Sequence, residues 1–224
     1  NQPYFFPYIG YFLLIKECSA FVSFDDVNMK KKSFITRNKF NSEEYFSLRV
    51  QNLSQNRLIN EHEIIDNDEL SRFIKYFHKN HLKSKYLYQT MEILEKLKSY
   101  NLRNIADLNF KTISLISKIL NLDTKLVQSK KIQKSTNFTC LNGQDKLIEI
   151  CKYFEEVEYL NLPGGKFLYS SDIFLKSRIV LRFLEIDDLE KKIDPYLFGQ
   201  SILTVISELG IDNVCEILFD AELK

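Results

Sequence analysis

The sequence contains no tryptophan and few glycines, prolines, cysteines and histidines, and these shortages exclude several classes of protein. Six glycines and four prolines are too few for a collagen-like or low-complexity chain. The four cysteines form no CxxC pair, so neither a zinc ribbon nor a disulfide framework is expected. We interpret them as reduced thiols, which agrees with a cytoplasmic location.

The sequence also lacks long apolar runs and any excess of charge. No run approaches the roughly 18 apolar residues of a membrane span, so no such span is predicted. The 31 basic and 30 acidic side chains give a net charge of +1, which predicts no bulk attraction to nucleic acid or membrane. The first residues resemble neither a signal peptide nor a transit peptide. Hydrophobic residues make up 45% of the chain, which is enough for a sizeable core.

Strand-like and helical segments alternate along the chain. Predicted strands cover residues 21–24, 45–50, 61–65, 124–128, 158–162 and 179–183. Predicted helices cover residues 10–16, 68–100 with a break near Ser84, 104–121, 145–154 and 200–209, the last ending at Gly210. This alternation predicts an α/β fold, Rossmann-like, with a largely parallel sheet. We expect one domain, with a mainly helical insertion or subdomain at about residues 68–121.

The first 38 residues combine turn residues, aromatics, acids, cations and amides at unusual density. Pro3 and Pro7 preclude a continuous helix, so this segment is expected to be extended. Asp25 and Asp26 follow a predicted strand, where polar residues face the ligand crevice of open α/β sheets. Because neighbouring strand residues point to opposite faces, we expect only one of the two to face a cleft. Such acids cap a loop, bind a cation or take a proton from an amine.

A basic arm follows at residues 28–42, predicted to be an exposed loop or hairpin. Arg37 presents a fork of donors that fits a carboxylate or phosphate, and it lies beside Asn38 and the aromatic Phe34. For Lys30 and Lys32 a solvated run of charge is the competing interpretation.

A glycine-rich turn, Pro163-Gly164-Gly165-Lys166, follows another predicted strand. Glycines let a backbone approach a ligand closely, and successive N–H groups can form an anion nest. The Walker A spacing is absent, and a tight strand-to-helix turn is the alternative interpretation. His78 and His81 share one face of a predicted helix, but no third ligand is evident, so no metal site is predicted.

The chain resembles the WbqC-like family of bacterial proteins, found in gene clusters for O-antigen and other surface polysaccharides. The opening run, residues 2–11, carries the most specific match, QPYFFPYIGY. Further matching positions are Asp25, Asp26, Val27, Lys31, Phe34, Arg37, Asn38, Leu108, Asn109, Thr124, Ser129, residues 150–152, Tyr159, Pro163, Gly164, Gly165 and Tyr169. The resemblance covers nearly the whole chain and implies a single WbqC-like domain over residues 1–224.

Three positions depart from the pattern of the family. Thr36 stands where an Asn is common, Thr204 where an Asp is common, and Arg72-Phe73 where a Lys-His pair is common. The resemblance therefore implies no role in this chain that depends on those groups.

The resemblance implies an aminoacyl- or acyltransferase that forms an amide on an amino sugar during surface-polysaccharide synthesis. Asp25 or Asp26 would accept the proton. The substrate-binding residues would be Gln2, Tyr4, Tyr11, Lys31, Arg37, Asn38, Gly164, Gly165 and Tyr169. The acceptor would be a sugar nucleotide or lipid-linked glycan, the donor an aminoacyl-tRNA or acyl carrier protein, and no cofactor is required. The alternatives are a non-catalytic sugar-nucleotide-binding or assembly subunit and an ATP-dependent ligase.

Overall fold

The computed structural model describes residues 1–41, 44–132, 134 and 138–221, along which helices and strands alternate. The strands are β1 (Ala20–Ser23), β2 (Arg37–Lys39), β3 (Tyr45–Ser47), β4 (Lys125–Gln128), β5 (Glu158–Asn161) and β6 (Val180–Phe183). The helices are α1 (Ile9–Lys16), α2 (Asp68–Asn80), α3 (Leu87–Ser99), α4 (Ile105–Ile119), α5 (Gly143–Tyr153), α6 (Ser171–Lys176), α7 (Asp187–Lys192), α8 (Pro195–Phe198), α9 (Ile202–Leu209) and α10 (Ile211–Asp220). The mixed α/β class predicted from the sequence is confirmed.

The described strands pair in three separate two-stranded sheets. β1 pairs with β4 and β5 pairs with β6, both in parallel, whereas β2 and β3 form an antiparallel pair. Residues of β1 and β5 line a common cavity of about 320 Å³, and these two strands belong to different sheets. Parallel pairing is therefore present, but a continuous Rossmann-like sheet is not confirmed.

Two hydrophobic clusters lie on either side of these strands. The larger contains α1 and the inner faces of α2, α3, α4 and α9. The smaller packs α5 and α6 against the paired strands, with Phe174 fully buried. Cys151, also in the smaller cluster, is buried, and burial raises the pKa of its thiol to about 11. This thiol therefore stays protonated near neutral pH, and the four cysteines are free.

The helical section follows the apolar spacing of the sequence closely. α2 and α3 divide near Ser84, whose hydroxyl donates to Glu208 on the helix α9. Phe73 and Phe77 are fully buried on the inner face of α2, and α4 begins after Asn104, whose side chain caps the helix.

Two segments differ from the sequence-based prediction. Residues 61–65 form no continuous strand: a 3₁₀ turn ends at Glu61, and only isolated antiparallel bridges follow, from Glu63 to Asn104 and from Ile64 to Val50. The buried His62 accepts from the Ser54 N–H (3.2 Å) and bonds the Leu58 carbonyl (2.7 Å) at the end of that turn. At the C-terminal end, Gly210 ends α9 with φ of 84°, yet α10 begins at the next residue. Glycine therefore marks a bend between two helices here.

Candidate functional site

A cavity of about 680 Å³ lies between the opening segment and the connection that follows β5. It is lined by Asn1, Gln2, Tyr4, Tyr8, Phe24, Val27, Asn28, Lys30, Gly143, Lys146, Leu147, Tyr159, Asn161, Leu162, Gly164, Gly165, Leu168 and Tyr169. The structure thus brings five of the residues singled out in the sequence to one cavity: Gln2, Tyr4, Gly164, Gly165 and Tyr169.

The opening wall is held at Asn1 by hydrogen bonds to the backbone of Val22 and Phe24 and, further along, by side-chain amides. The Asn38 side chain donates to the carbonyls of Phe5 (3.0 Å) and Phe6 (2.7 Å). The Asn109 side chain on α4 donates to the Pro3 carbonyl (2.9 Å). Phe6 has φ of 46°, a left-handed conformation that is costly for a non-glycine residue and needs such support.

Four residues predicted to bind substrate lie outside the described lining of this cavity. Tyr11 is fully buried and donates its hydroxyl to the Gln2 carbonyl (2.8 Å), so it supports the wall from behind, as Asn38 does. Lys31 is exposed. The Arg37 guanidinium lies 4.2 Å from the centre of the Tyr45 ring. Burial and stacking direct these side chains away from the cavity.

The phenol groups of the cavity are hydrogen-bond donors rather than bases. Burial raises the pKa of Tyr8 to about 12, and it also raises the pKa of Tyr4 and of Tyr169. These hydroxyls therefore remain protonated at neutral pH. Together with the amides of Gln2 and Asn161, they form the uncharged polar part of a lining that also contains Lys30 and Lys146.

The two glycines of the opposite wall have different reasons to be glycine. A methyl group on Gly165 would lie 2.6 Å from Nδ2 of Asn161, whereas one on Gly164 would meet nothing within 4 Å. The turn Pro163–Gly165 is a 3₁₀ turn in which the Gly165 N–H bonds the Leu162 carbonyl (2.9 Å). The geometry thus supports the tight-turn interpretation at Gly165, and it leaves Gly164 open for a ligand.

Asp25 lies where the parallel strands β1 and β4 end side by side. Its carboxyl group is fully buried and contacts the Ser129 hydroxyl (2.8 Å), the Lys130 backbone N–H (3.0 Å) and the Gln128 side chain (3.1 Å). Burial raises the pKa of this carboxyl above its usual value, against the lowering effect of its hydrogen bonds to Ser129 and Lys130.

Asp26 shares the Ser129 hydroxyl with Asp25 and also forms an ion pair with Lys134. The side chain of Asp26 is 11% exposed. A hydroxyl has one proton, so Ser129 cannot donate to both carboxylates at once. The contacts are all satisfied when Asp25 carries a proton and donates to Ser129, which in turn donates to Asp26. This chain of contacts joins the buried Asp25 carboxyl group to the partly exposed Asp26 carboxyl group.

Neither aspartate lines the cavity in the described part of the chain, although their neighbours Phe24 and Val27 do. Strand alternation does not decide their directions, because β1 ends at Ser23 and both residues follow it in a loop. Sequence reasoning also gave no role to Ser129 or Lys146. Ser129 follows β4 directly, so the strand-end rule that selected Asp25 also applies to it.

The family departures lie in structural contacts. Thr204 is buried, and its hydroxyl oxygen lies 3.1 Å from the His81 ring. Because the other His81 ring nitrogen bonds the Phe77 carbonyl (2.9 Å), this histidine is fully engaged. Phe73 is in the core, and Arg72 contacts Glu69. In the described ranges, no group of three His, Cys, Asp or Glu side chains converges as metal ligands.

The described helices include none that is long and apolar enough to cross a membrane. A search of curated proteins and a search of solved structures each returned no match to the chain. The sequence profile of the WbqC-like protein family matches residues 2–215, a span that contains both walls of the cavity and the strand-end aspartates. On that match, the chain belongs to the WbqC-like protein family.

Proposed function

We propose that the cavity binds an amino sugar and that the protein forms an amide on its amine, as an aminoacyl- or acyltransferase of surface-polysaccharide (O-antigen) synthesis. The observation that carries this proposal is that two segments far apart in the sequence, the opening run and the Gly164-Gly165 turn, line the same cavity. Both segments lie within the match to the family. The lining suits a sugar, because phenols and amides can exchange hydrogen bonds with hydroxyl groups. The activated donors are cytoplasmic molecules, so the proposal also places the protein in the cytoplasm.

The proposed reaction joins the sugar nitrogen to the acyl carbon and breaks the bond from that carbon to the oxygen or sulfur of the donor. The ammonium must first lose a proton, and the developing oxyanion needs donors. Of the two aspartates, Asp26 is the partly exposed one, so we assign it the proton of the amine. Ser129 and Asp25 hold the Asp26 carboxylate in place through the shared hydroxyl. The ammonium loses two protons in all: Asp26 passes one to the departing oxygen or sulfur of the donor, and the other goes to solvent.

The decisive experiment is mass analysis of the surface glycan from a strain that lacks this protein. The proposal predicts that one acyl or aminoacyl group is missing from the repeat unit and that a wild-type copy restores it. A glycan of unchanged mass in the deletion strain contradicts the proposal.

A second candidate is favoured by the composition of the cavity. Its described lining contains no carboxylate, cysteine, histidine or serine, so neither of the two aspartates nor any thiol, imidazole or serine hydroxyl faces the bound sugar directly. That composition suits a sugar-nucleotide-binding or assembly subunit that does not turn its ligand over. This candidate predicts binding of a uridine-diphosphate amino sugar without product from any donor. Product formation by the purified protein alone rejects it.

A further inference from the structure

Lys146 is a buried cation that faces the cavity. It lies in the first turn of α5, and only 9% of its surface is exposed. No hydrogen bond or ion pair joins its ammonium group to any described residue. The nearest described aromatic is Phe138, whose ring centre lies 5.3 Å from Nζ.

An ammonium group beside a cavity and without an ion-pair partner favours an anionic ligand there. The cavity supplies no counter-charge, because its described lining contains the side chains of Lys30 and Lys146 and no carboxylate. Lys30 is exposed at the same cavity. An anion bound between the two lysines would be attracted by both.

The start of α5 adds a third positive feature at the same place. Gly143, the first residue of this helix of 11 residues, also lines the cavity. The N-terminal end of a helix carries a partial positive charge and free N–H groups that favour anions. Asn142 caps only the Asp145 N–H (2.9 Å) and donates to the Asp145 carboxylate, which is outside the described lining.

We propose that Lys146, Lys30 and the start of α5 bind the pyrophosphate group of the acceptor. This inference rests on the proposed function, since it places the amino sugar in the same cavity, and it assigns the anion to residues other than Lys31 and Arg37. Nucleotide-linked and lipid-linked sugars both carry a pyrophosphate. A pyrophosphate has two phosphoryl groups, one for each of the two lysines, whereas a carboxylate is a single anionic group.

The test is calorimetric titration of the whole protein with inorganic pyrophosphate, uridine diphosphate and farnesyl pyrophosphate at two salt concentrations. We expect Lys146→Met to weaken the binding of all three probes by about tenfold or more. This factor is the usual contribution of one charge-assisted hydrogen bond to affinity. We expect Lys30→Ala to weaken them about threefold, because exposed charges are screened. Lys152→Met is the matched control on the same helix, where the side chain is exposed and outside the cavity.

The three probes separate the two sources of the pyrophosphate. Tighter binding of uridine diphosphate than of pyrophosphate supports a nucleotide-linked acceptor. Tighter binding of farnesyl pyrophosphate supports a lipid-linked one, for which the exposed Phe167 and Leu168 offer apolar contact beside the cavity.

The proposal is overturned if the wild-type protein binds none of the probes. It is also overturned if both Lys146→Met, checked for folding by circular dichroism, and Lys30→Ala bind as tightly as wild type. If Lys146→Met does not fold, unchanged affinity of the Lys30→Ala variant alone overturns it. Failure of the proposed transfer is separate, because it appears as an unchanged glycan in the deletion strain while pyrophosphate binding persists.

Discussion

Two buried carboxyl groups, Glu69 on α2 and Asp25 after β1, have opposite electrostatic environments. Glu69 has no exposed side-chain surface and contacts both Arg49 and Arg72. Burial raises the pKa of Glu69, but hydrogen bonds from the two arginines outweigh it and hold that pKa below its usual value. Asp25 contacts a hydroxyl, an amide and a backbone N–H but no cation, and its pKa is raised.

The difference separates a carboxylate that holds the fold from one that can exchange a proton. A carboxylate fixed between two guanidinium groups stays ionised, and here it links α2 to the segment that contains Arg49. A carboxyl group buried without a cation keeps its proton more readily and passes it to a neighbour. The following predictions test this division between structure and chemistry.

Loss of turnover at the strand-end aspartates is the largest effect expected. Asp26→Asn and Asp25→Asn should each lower amide formation by about 10²–10⁴-fold, the usual contribution of general-base catalysis. Glu69→Gln should keep wild-type turnover per folded molecule, measured well below its unfolding temperature. Turnover of both aspartate variants within threefold of wild type would remove these carboxylates from the mechanism.

The free energy of unfolding should show the reverse pattern. Glu69→Gln should destabilise the fold by about 3 kcal/mol, the lower end for breaking a buried ion pair, because Arg49 and Arg72 are 55% and 40% exposed and can be hydrated. Urea unfolding measures this difference. Glu95→Gln, at an exposed position on α3, is the control and should change stability by less than about 0.5 kcal/mol. Equal stability of the two variants would contradict a structural role for Glu69.

The shared hydroxyl at the strand ends should have an intermediate effect. Ser129→Ala leaves the buried Asp25 N–H without its acceptor (2.9 Å) and should cost about 1–3 kcal/mol of unfolding free energy. It should also lower turnover. Ser114→Ala is a suitable control, since the Ser114 hydroxyl donates only to the Phe110 carbonyl of its own helix (2.8 Å). If Ser129→Ala is as stable and active as that control, this hydroxyl has no part in the fold or in the reaction.

The pH dependence of stability should differ in sign between the two carboxyl groups. The lowered pKa of Glu69 gives stability at neutral pH that is lost as the pH falls through the folded-state pKa. The raised pKa of Asp25 gives stability at low pH that is lost as the pH rises through the folded-state pKa.

Urea unfolding of Glu69→Gln, Asp25→Asn and wild type between about pH 3.5 and pH 7 measures these two slopes, since ordinary carboxyl groups titrate at about pH 4. As the pH rises, stability relative to wild type should worsen for Glu69→Gln and improve for Asp25→Asn. Parallel curves for the two variants would show that their environments are alike.

Much of the fold follows from local patterns of the sequence. Apolar spacing predicts α2, α3 and α4 because each buries one face, and short β-branched runs predict β4 and β6. Local pattern does not report which strand pairs with which, so the separation of β1 from β5 is not predictable. Residues 61–65 likewise form only isolated bridges to Asn104 and Val50 after a 3₁₀ turn, rather than the strand that their composition favours.

The candidate site divides in the same way. Gln2, Tyr4 and Gly164 are predicted because turn residues and strand ends mark them in the sequence, and the structure brings them to one cavity. Tyr11 and Asn38 carry the same signals in the sequence as Gln2 and Tyr4, but their side chains are turned inward and donate to backbone carbonyls. Polar atoms inside the protein need such partners. Lys146 carries no local signal, because its importance comes from burial beside a cavity formed by distant segments.

The amides that hold the opening segment determine which side of the cavity is already ordered before a ligand arrives. Asn38 and Asn109 fix the backbone of that segment at three carbonyl groups, so binding there costs little additional conformational entropy. The opposite wall is different, because Gly164 has open space around it and Leu168 is 67% exposed. Discrimination between ligands of different size is therefore expected at the glycine wall, where the chain has room to adjust, while the opening wall acts as a rigid template.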